Sequence, residues 1–256
     1  MENKIDRALG ATQGIQLMTH VVAGYPSLED NKALIRLMAG RGVKLIEIQI
    51  PFTDPLADGP TIMRANQAAL DAGVTPEHCF ALCARLSREL TDVAFMFMTY
   101  ANIPFALGME RFLDRAAASG ASGIILPDLP WDEIDGDYAE LARARGLHPI
   151  MVISPDTPPG RLEKILTRAS GLLYTTLKVG ITGAGATMDQ TGVDYVRGLK
   201  EKTGLPIAAG FGISSPDHVR MLDGLADAAV IGSHIINLLD RGGLEAVDEF
   251  LAACGE

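Results

Sequence analysis

Two carboxylates on either side of a stiff turn carry the clearest chemistry in this sequence. Residues 47 to 60 read Glu-Ile-Gln-Ile-Pro-Phe-Thr-Asp-Pro-Leu-Ala-Asp-Gly-Pro. Glu47 and Gln49 fall on alternate positions of a short apolar strand, so their side chains point to the same side. A carboxylate on the inside of an apolar strand is costly unless it is paired or has a task. Pro51 and Pro55 stiffen the turn that follows, and it can fold Asp58 back toward Glu47. Two carboxylates in one pocket, in environments that separate their pKa values, can divide acid and base work. The plain alternative for these two residues is a solvated loop Asp and a Glu paired with a Lys.

A second kind of chemistry needs no charged side chain. Gly210-Phe211-Gly212-Ile213-Ser214 and Gly232-Ser233 each follow a short apolar run, and the second pair opens an apolar helix from His234 to Leu239. Glycine lets backbone N–H groups approach an anion closely, and a helix N-terminus adds its dipole. Ser233 adds a hydroxyl donor. The two pairs together suggest a phosphate site, although glycine also ends strands for ordinary turn reasons. Between the sixth and seventh apolar runs, Leu177 to Gly192 is long and rich in small residues. It reads as a lid over the site or as a plain surface loop.

These groups need a frame. The chain has 256 residues, 48% hydrophobic and 21% charged, which is ample for a full core. Short apolar runs at 17–23, 45–50, 93–99, 122–126, 149–153, 172–176, 206–209 and 227–231 read as strands. Several are apolar at nearly every position, as parallel strands buried on both faces are. Helical periods separate them. Leu34, Leu37 and Met38 share a face behind Ser27 as N-cap. Phe105, Met109, Phe112, Leu113 and Ala116 form a second stripe, and Leu162, Ile165, Leu166 and Ala169 a third. Thr75-Pro76-Glu77 starts an additional helix over 76–91. Eight strand–helix units of about 32 residues each predict a single (β/α)8 TIM barrel over residues 1–256. It carries an extra N-terminal helix, the extra helix after strand two, and a short phosphate-site helix after strand eight. A doubly wound open sheet fits less well, because no Gly-x-Gly-x-x-Gly turn follows the first strand. In a barrel, Glu47, Asp58 and both glycine pairs fall at the C-terminal ends of strands, where barrel active sites lie.

Composition narrows the partners. The net charge of −10 disfavours nucleic acid and anionic membranes but leaves room for an anionic small molecule. No run approaches the roughly 20 apolar residues of a membrane span. The first residues lack the basic start and apolar run of a signal peptide, and three cysteines make no disulfide framework. The expected location is the cytoplasm. Cys79 and Cys83, one helical turn apart with His78 beside them, read as core thiols rather than a metal site.

The sequence resembles the tryptophan synthase α-chain family nearly end to end. The resemblance rests on Gly24-Tyr25-Pro26, residues 51–60, Tyr100-Ala101-Asn102, Pro127-Asp128-Leu129-Pro130, Gly180-Ile181-Thr182-Gly183, and the two glycine pairs. It implies retro-aldol cleavage of indole-3-glycerol phosphate to indole and glyceraldehyde 3-phosphate, without cofactor or metal. By the same resemblance Glu47 is the main acid/base and Asp58 its partner at the indole N–H. Tyr100 and Tyr174 would line the indole pocket beside Met98, although both also read as ordinary core aromatics. Thr182 would close onto Asp58, and Gly183, Gly212, Gly232 and Ser233 would hold the phosphate. A pyridoxal-phosphate β chain is the implied partner, in an α2β2 heterotetramer, met by the loop around Asp54 and the segment near Asn102.

Three positions depart from the family pattern. Gln49 stands where Gly is usual, His20 where an aromatic such as Phe is usual, and Leu177-Lys178-Val179-Gly180 where Ser-Arg-Ala-Gly is usual. They leave two alternatives open. One is a divergent phosphate-binding lyase or aldolase, for instance a Schiff-base enzyme using Lys178. The other is an α-like barrel of low activity that regulates a β chain.

Overall fold

Each of the eight apolar runs becomes a strand, and each strand lies parallel to the next. The computed structural model describes residues 2–10, 14–129, 138–177, 190–210 and 212–255. The strands are β1 (Gln16–Val22), β2 (Leu45–Gln49), β3 (Ala94–Met98), β4 (Ala121–Ile125), β5 (His148–Ile153), β6 (Leu173–Thr176), β7 (Ile207–Gly210) and β8 (Ala228–Ile231). They follow chain order around a closed barrel, with Thr19 of β1 in register with Ile231 of β8.

The helices lie between them in sequence. They are α1 (Lys4–Gly10), α2 (Leu28–Gly40), α3 (Pro60–Asp71), α4 (Pro76–Glu89), α5 (Asn102–Leu107), α6 (Met109–Ala118), α7 (Tyr138–Arg143), α8 (Pro159–Arg168), α9 (Gln190–Lys200), α10 (Pro216–Leu222) and α11 (Ser233–Cys254). The extra N-terminal helix and the extra helix after the second strand are α1 and α4. The short helix after the eighth strand is the first part of α11, which kinks at Gly243, a non-helical residue with φ 63°. The Ser27 hydroxyl caps α2 by accepting from Asp30 N–H at 3.1 Å.

One helical stripe breaks where the period is unbroken. Gly108, at φ 83°, ends α5 and starts α6. Met109, Phe112, Leu113 and Ala116 stay with the core, whereas Phe105 falls on α5 and is 55% exposed. A glycine at positive φ resets the direction of the chain, and a hydrophobic count across it cannot register that.

The strands bury both faces, with different neighbours on each. In β2, Ile46 and Ile48 join the layer between barrel and helices, while Leu45 joins the barrel interior. In β3, Phe95 and Phe97 face the helices, and Ala94, Met96 and Met98 face inward. The N-terminal end of the barrel is filled by α1. Its Ile5 is fully buried with Leu45, Ala94 and Ile150, and Gly123 of β4 leaves it room, since a Cβ there would stand 3.0 Å from Ile5 Cδ1. The other end is left for a site.

Candidate active site

The alternation of β2 decides where the first carboxylate goes. With Leu45 inward and Ile46 and Ile48 outward, Glu47 and Gln49 must point into the barrel. Glu47 is only 3% exposed. In β1, Met18 points inward, so His20 does too, and the parallel register sets His20 beside Glu47. Their side chains meet, His20 Nδ1 to Glu47 Oε1, at 3.2 Å.

Asp58 is brought back by the turn. Pro55 C=O accepts from Asp58 N–H at 2.9 Å, and Asn66 Oδ1 on α3 accepts from Phe52 N–H at 3.0 Å. The Asn66 amide in turn donates to Ile62 C=O at 2.9 Å. Ala57 N–H donates to the Tyr100 hydroxyl at 3.1 Å, and that hydroxyl also hydrogen-bonds Asp58. The Gln49 amide donates to Asp58 Oδ2 at 2.6 Å. Both carboxylates therefore hold a partner from the strand wall, His20 for Glu47 and Gln49 for Asp58.

Burial shapes the charges. It raises the Asp58 pKa above the ordinary value, against the opposing pull of Gln49, His20 and Tyr100. At His20 burial disfavours the imidazolium, but the Glu47 carboxylate, with Asp58 behind it, outweighs burial and raises the pKa. Burial, with Glu47 and Asp58 adding to it, also keeps the Tyr174 phenol protonated far above its usual range. Four polar atoms remain buried without a hydrogen-bond partner among the described residues: Thr19 Oγ1, His20 Nε2, Glu47 Oε2 and Gln49 Oε1. Leaving such groups unpaired costs about 1–3 kcal/mol each, so they are candidates for contact with a ligand.

A cavity opens over these residues. Glu47 and Asp58 lie on one wall with His20. Met98, Ile125, Val152 and Tyr174 make its apolar side, which suits a flat aromatic ring. Gly212, Gly232 and Ser233 line it as well, Ser233 as the first residue of α11 and Gly232 as its N-cap. Gly210 serves the same wall differently. A Cβ there would come within 3.0 Å of Val230 Cβ and 3.1 Å of the Tyr174 hydroxyl, so its absence seats the phenol.

This constellation has relatives. Residues 7–254 match the sequence model of the family described as tryptophan synthase alpha chain. The chain belongs to the tryptophan synthase alpha chain family. It is 40% identical over 241 residues to the tryptophan synthase alpha chain of Syntrophotalea carbinolica, covering 94% of each chain. It is 41% identical over 250 residues to that of Desulfotalea psychrophila, covering 98% of each. Among solved structures, tryptophan synthase from Mycobacterium tuberculosis superposes with a TM-score of 0.90 at 26% identity, over 99% of this chain and 97% of that one. A mutant alpha-subunit from Pyrococcus furiosus gives 0.82 at 29% identity, over 94% and 96%. Like other tryptophan synthase alpha chains, this chain is a lyase that cleaves indole-3-glycerol phosphate in tryptophan biosynthesis, with a β chain as its partner. Among the described residues, no helix is long and apolar enough to cross a membrane.

The expected site residues do not all land alike. Glu47, Asp58, Tyr174, Gly212, Gly232 and Ser233 share the cavity. Tyr100 does not stand on its wall: it is fully buried behind Asp58, stacked on Phe52 at 5.5 Å between ring centroids. Thr182, Gly183 and Lys178 lie outside the described residues. Cys79 and Cys83 are core residues of α4, and burial pushes the Cys83 thiol up to about 12. The His78 ring accepts from Thr75 N–H at 3.2 Å, as a cap of that helix. Among the described residues no group of three His, Cys, Asp or Glu side chains is placed to hold a metal ion. Sequence reasoning missed Asn66 and Asp128. Asp128 Oδ1 accepts from Ala101 N–H at 2.9 Å and so ties the loop after β4 to the loop after β3. Asp128 was visible as part of Pro-Asp-Leu-Pro, but Asn66 looks like any polar residue of a helix.

Proposed function

We propose that Glu47 and Asp58 carry out the cleavage of indole-3-glycerol phosphate by carboxylate acid/base catalysis. The observation that carries this reading is the pair of buried carboxylates at one wall of an apolar cavity whose other rim is glycine backbone and a helix N-terminus. Protonation at indole C3 turns the ring into an electron sink. The bond from C3 to the glycerol carbon then breaks as a base removes the proton of the hydroxyl on that carbon. Indole leaves with the C3 proton, and the glycerol fragment leaves as the aldehyde. Glu47 handles both proton transfers. Asp58 accepts from the indole N–H and offsets the positive charge that grows on the ring.

The phosphate sits against Gly212, Gly232 and Ser233, where N–H groups and the α11 dipole favour an anion. Tyr174, with Met98, packs on the indole; Tyr100 holds Asp58 in place. The reading extends to one domain over the whole chain, an α2β2 assembly with the β chain, and a cytoplasmic location. The deciding experiment is indole release from indole-3-glycerol phosphate by the purified chain, with and without a β chain. Release that rises when the β chain is added is the expected result. A folded chain that releases no indole in either condition overturns the reading.

A further inference from the structure

The two departures nearest the carboxylates are not idle. The imidazole of His20 and the amide of Gln49 each take one carboxylate as partner, at 3.2 Å and 2.6 Å. His20 is the more informative. It is 4% exposed and stands on the cavity wall, and its contact leaves the other Glu47 oxygen, Oε2, unpartnered among the described residues. The two oxygens of one carboxylate thus have separate surroundings. Oε1 faces an imidazole nitrogen, while Oε2 is buried with no partner among the described residues.

Resting on the acid/base reading above, the geometry points to His20 as the positioning residue that stores, on Nδ1, the proton Glu47 delivers to the substrate. The proton count closes. At rest the pair holds one proton, on His20, and Glu47 is a carboxylate. Nδ1–H passes its proton to the Glu47 carboxylate, and the resulting carboxyl group hands that same proton to indole C3, which leaves His20 neutral and Glu47 a carboxylate again. When the carbon–carbon bond breaks, the proton of the substrate hydroxyl returns to the pair. No net proton is taken from solvent, and no further reactant is needed. A lone ionised Glu47 could accept the hydroxyl proton but would have none to give first.

The surroundings favour the charged imidazole. The charged groups that face it are Glu47 from β2 and Asp58 from the following loop, both carboxylates, and they raise its pKa in spite of burial. Gln49 also favours the charged ring, and just past β8 Gly232 lies beside it, where a Cβ would stand 3.5 Å from His20 Cβ.

The test uses the full chain with its β chain and compares the wild type with His20→Gln, which keeps a polar group beside Glu47 but holds no exchangeable charge. Expected is a fall in kcat of about 10- to 100-fold, the worth of a hydrogen bond to a charged group, with KM nearly unchanged. The alkaline limb of the wild-type pH profile, above 6.5, should vanish in the variant. A structural role would lower the folded fraction instead and leave the shape of the profile intact. Nitrogen-15 NMR of the chain without substrate gives an independent reading. His20 should titrate above 6.5 in the wild type and lower in Glu47→Gln. Equal pH profiles in wild type and His20→Gln, or a His20 that titrates below 6.5 beside an intact Glu47, overturns the inference while leaving the lyase reading standing. Absence of indole release from the wild type, with the His20 titration as expected, strikes at the lyase reading itself.

Discussion

The two rims of the cavity do chemistry by opposite means. The β1–β2 rim works with side chains: His20, Glu47, Gln49 and Asp58 form a buried polar chain in which each carboxylate has a neutral or cationic partner. The β7–β8 rim works by lacking side chains, with Gly212, Gly232 and the first turn of α11 offering backbone groups. On the proposed reading the first rim holds protons at chosen atoms, and its residues are fixed by hydrogen bonds. On the same reading the second holds a dianion, which peptide N–H groups can do without a titrating group. Substitutions on the first rim should therefore appear in kcat and in pH profiles, and those on the second in KM.

The largest effect that would break this contrast is at Glu47. Glu47→Gln keeps the shape and removes the proton carrier, so kcat for indole release should fall by about a hundredfold to ten-thousandfold. Substrate binding should persist, which equilibrium dialysis with indole-3-glycerol phosphate can measure. Substantial turnover would mean the carboxylate is not the acid/base. Next is Gln49→Leu, which removes the donor to Asp58 and leaves a buried carboxylate less supported. A loss of about tenfold in kcat is expected. Because Gln49 opposes the upward push of burial on Asp58, its removal should move the acidic limb of the kcat profile to higher pH. An unmoved limb would mean that Asp58 is not the group being read.

On the glycine rim, Ser233→Ala should raise KM about tenfold or less and leave kcat alone, with inorganic phosphate a weaker competitive inhibitor of the variant. A fall in kcat instead would erase the distinction between the rims. The smallest effect concerns stability. The His20 pKa is raised in the folded chain, so its pairing stabilises fully below about 6.5, the unfolded value, and that contribution is lost as pH rises through the folded value. The difference in thermal stability between wild type and His20→Gln should therefore shrink on going from pH 6 to pH 9. A difference that grows over that range would mean the imidazole is buried neutral.

The two rims also differ in how far they could be read from sequence. Glu47 declares itself, because a carboxylate within an apolar strand is rare and expensive. The glycine pairs declare themselves through their place after the last two strands. The strands fall within a residue or two of their expected bounds, as 45–50 does against Leu45–Gln49, since continuous apolar runs leave little choice. What the sequence hides is whatever depends on pairing between distant segments. That His20 meets Glu47 follows from the register of β1 on β2, and nothing local to either strand encodes it. Asn66 gains its role only because the turn at 51–58 lies over α3. Tyr100, which the family resemblance puts at the indole pocket and which also reads as a core aromatic, is fully buried, stacked on Phe52 and hydrogen-bonded to Asp58. The break at Gly108 escaped for the reverse reason: the helical period continues across it while the backbone does not.

Barrel closure has a consequence for how the chain is made. β1 is synthesised first, yet one of its edges pairs only with β8, whose residues 228–231 are among the last to appear. Until then a growing chain carries an open parallel edge at each end of its sheet, with hydrogen-bonding groups exposed to any neighbouring strand. A ribosome that stalls before β8 thus leaves a sticky intermediate rather than a smaller enzyme, and the cell's chaperones have the whole length of the message in which to meet it.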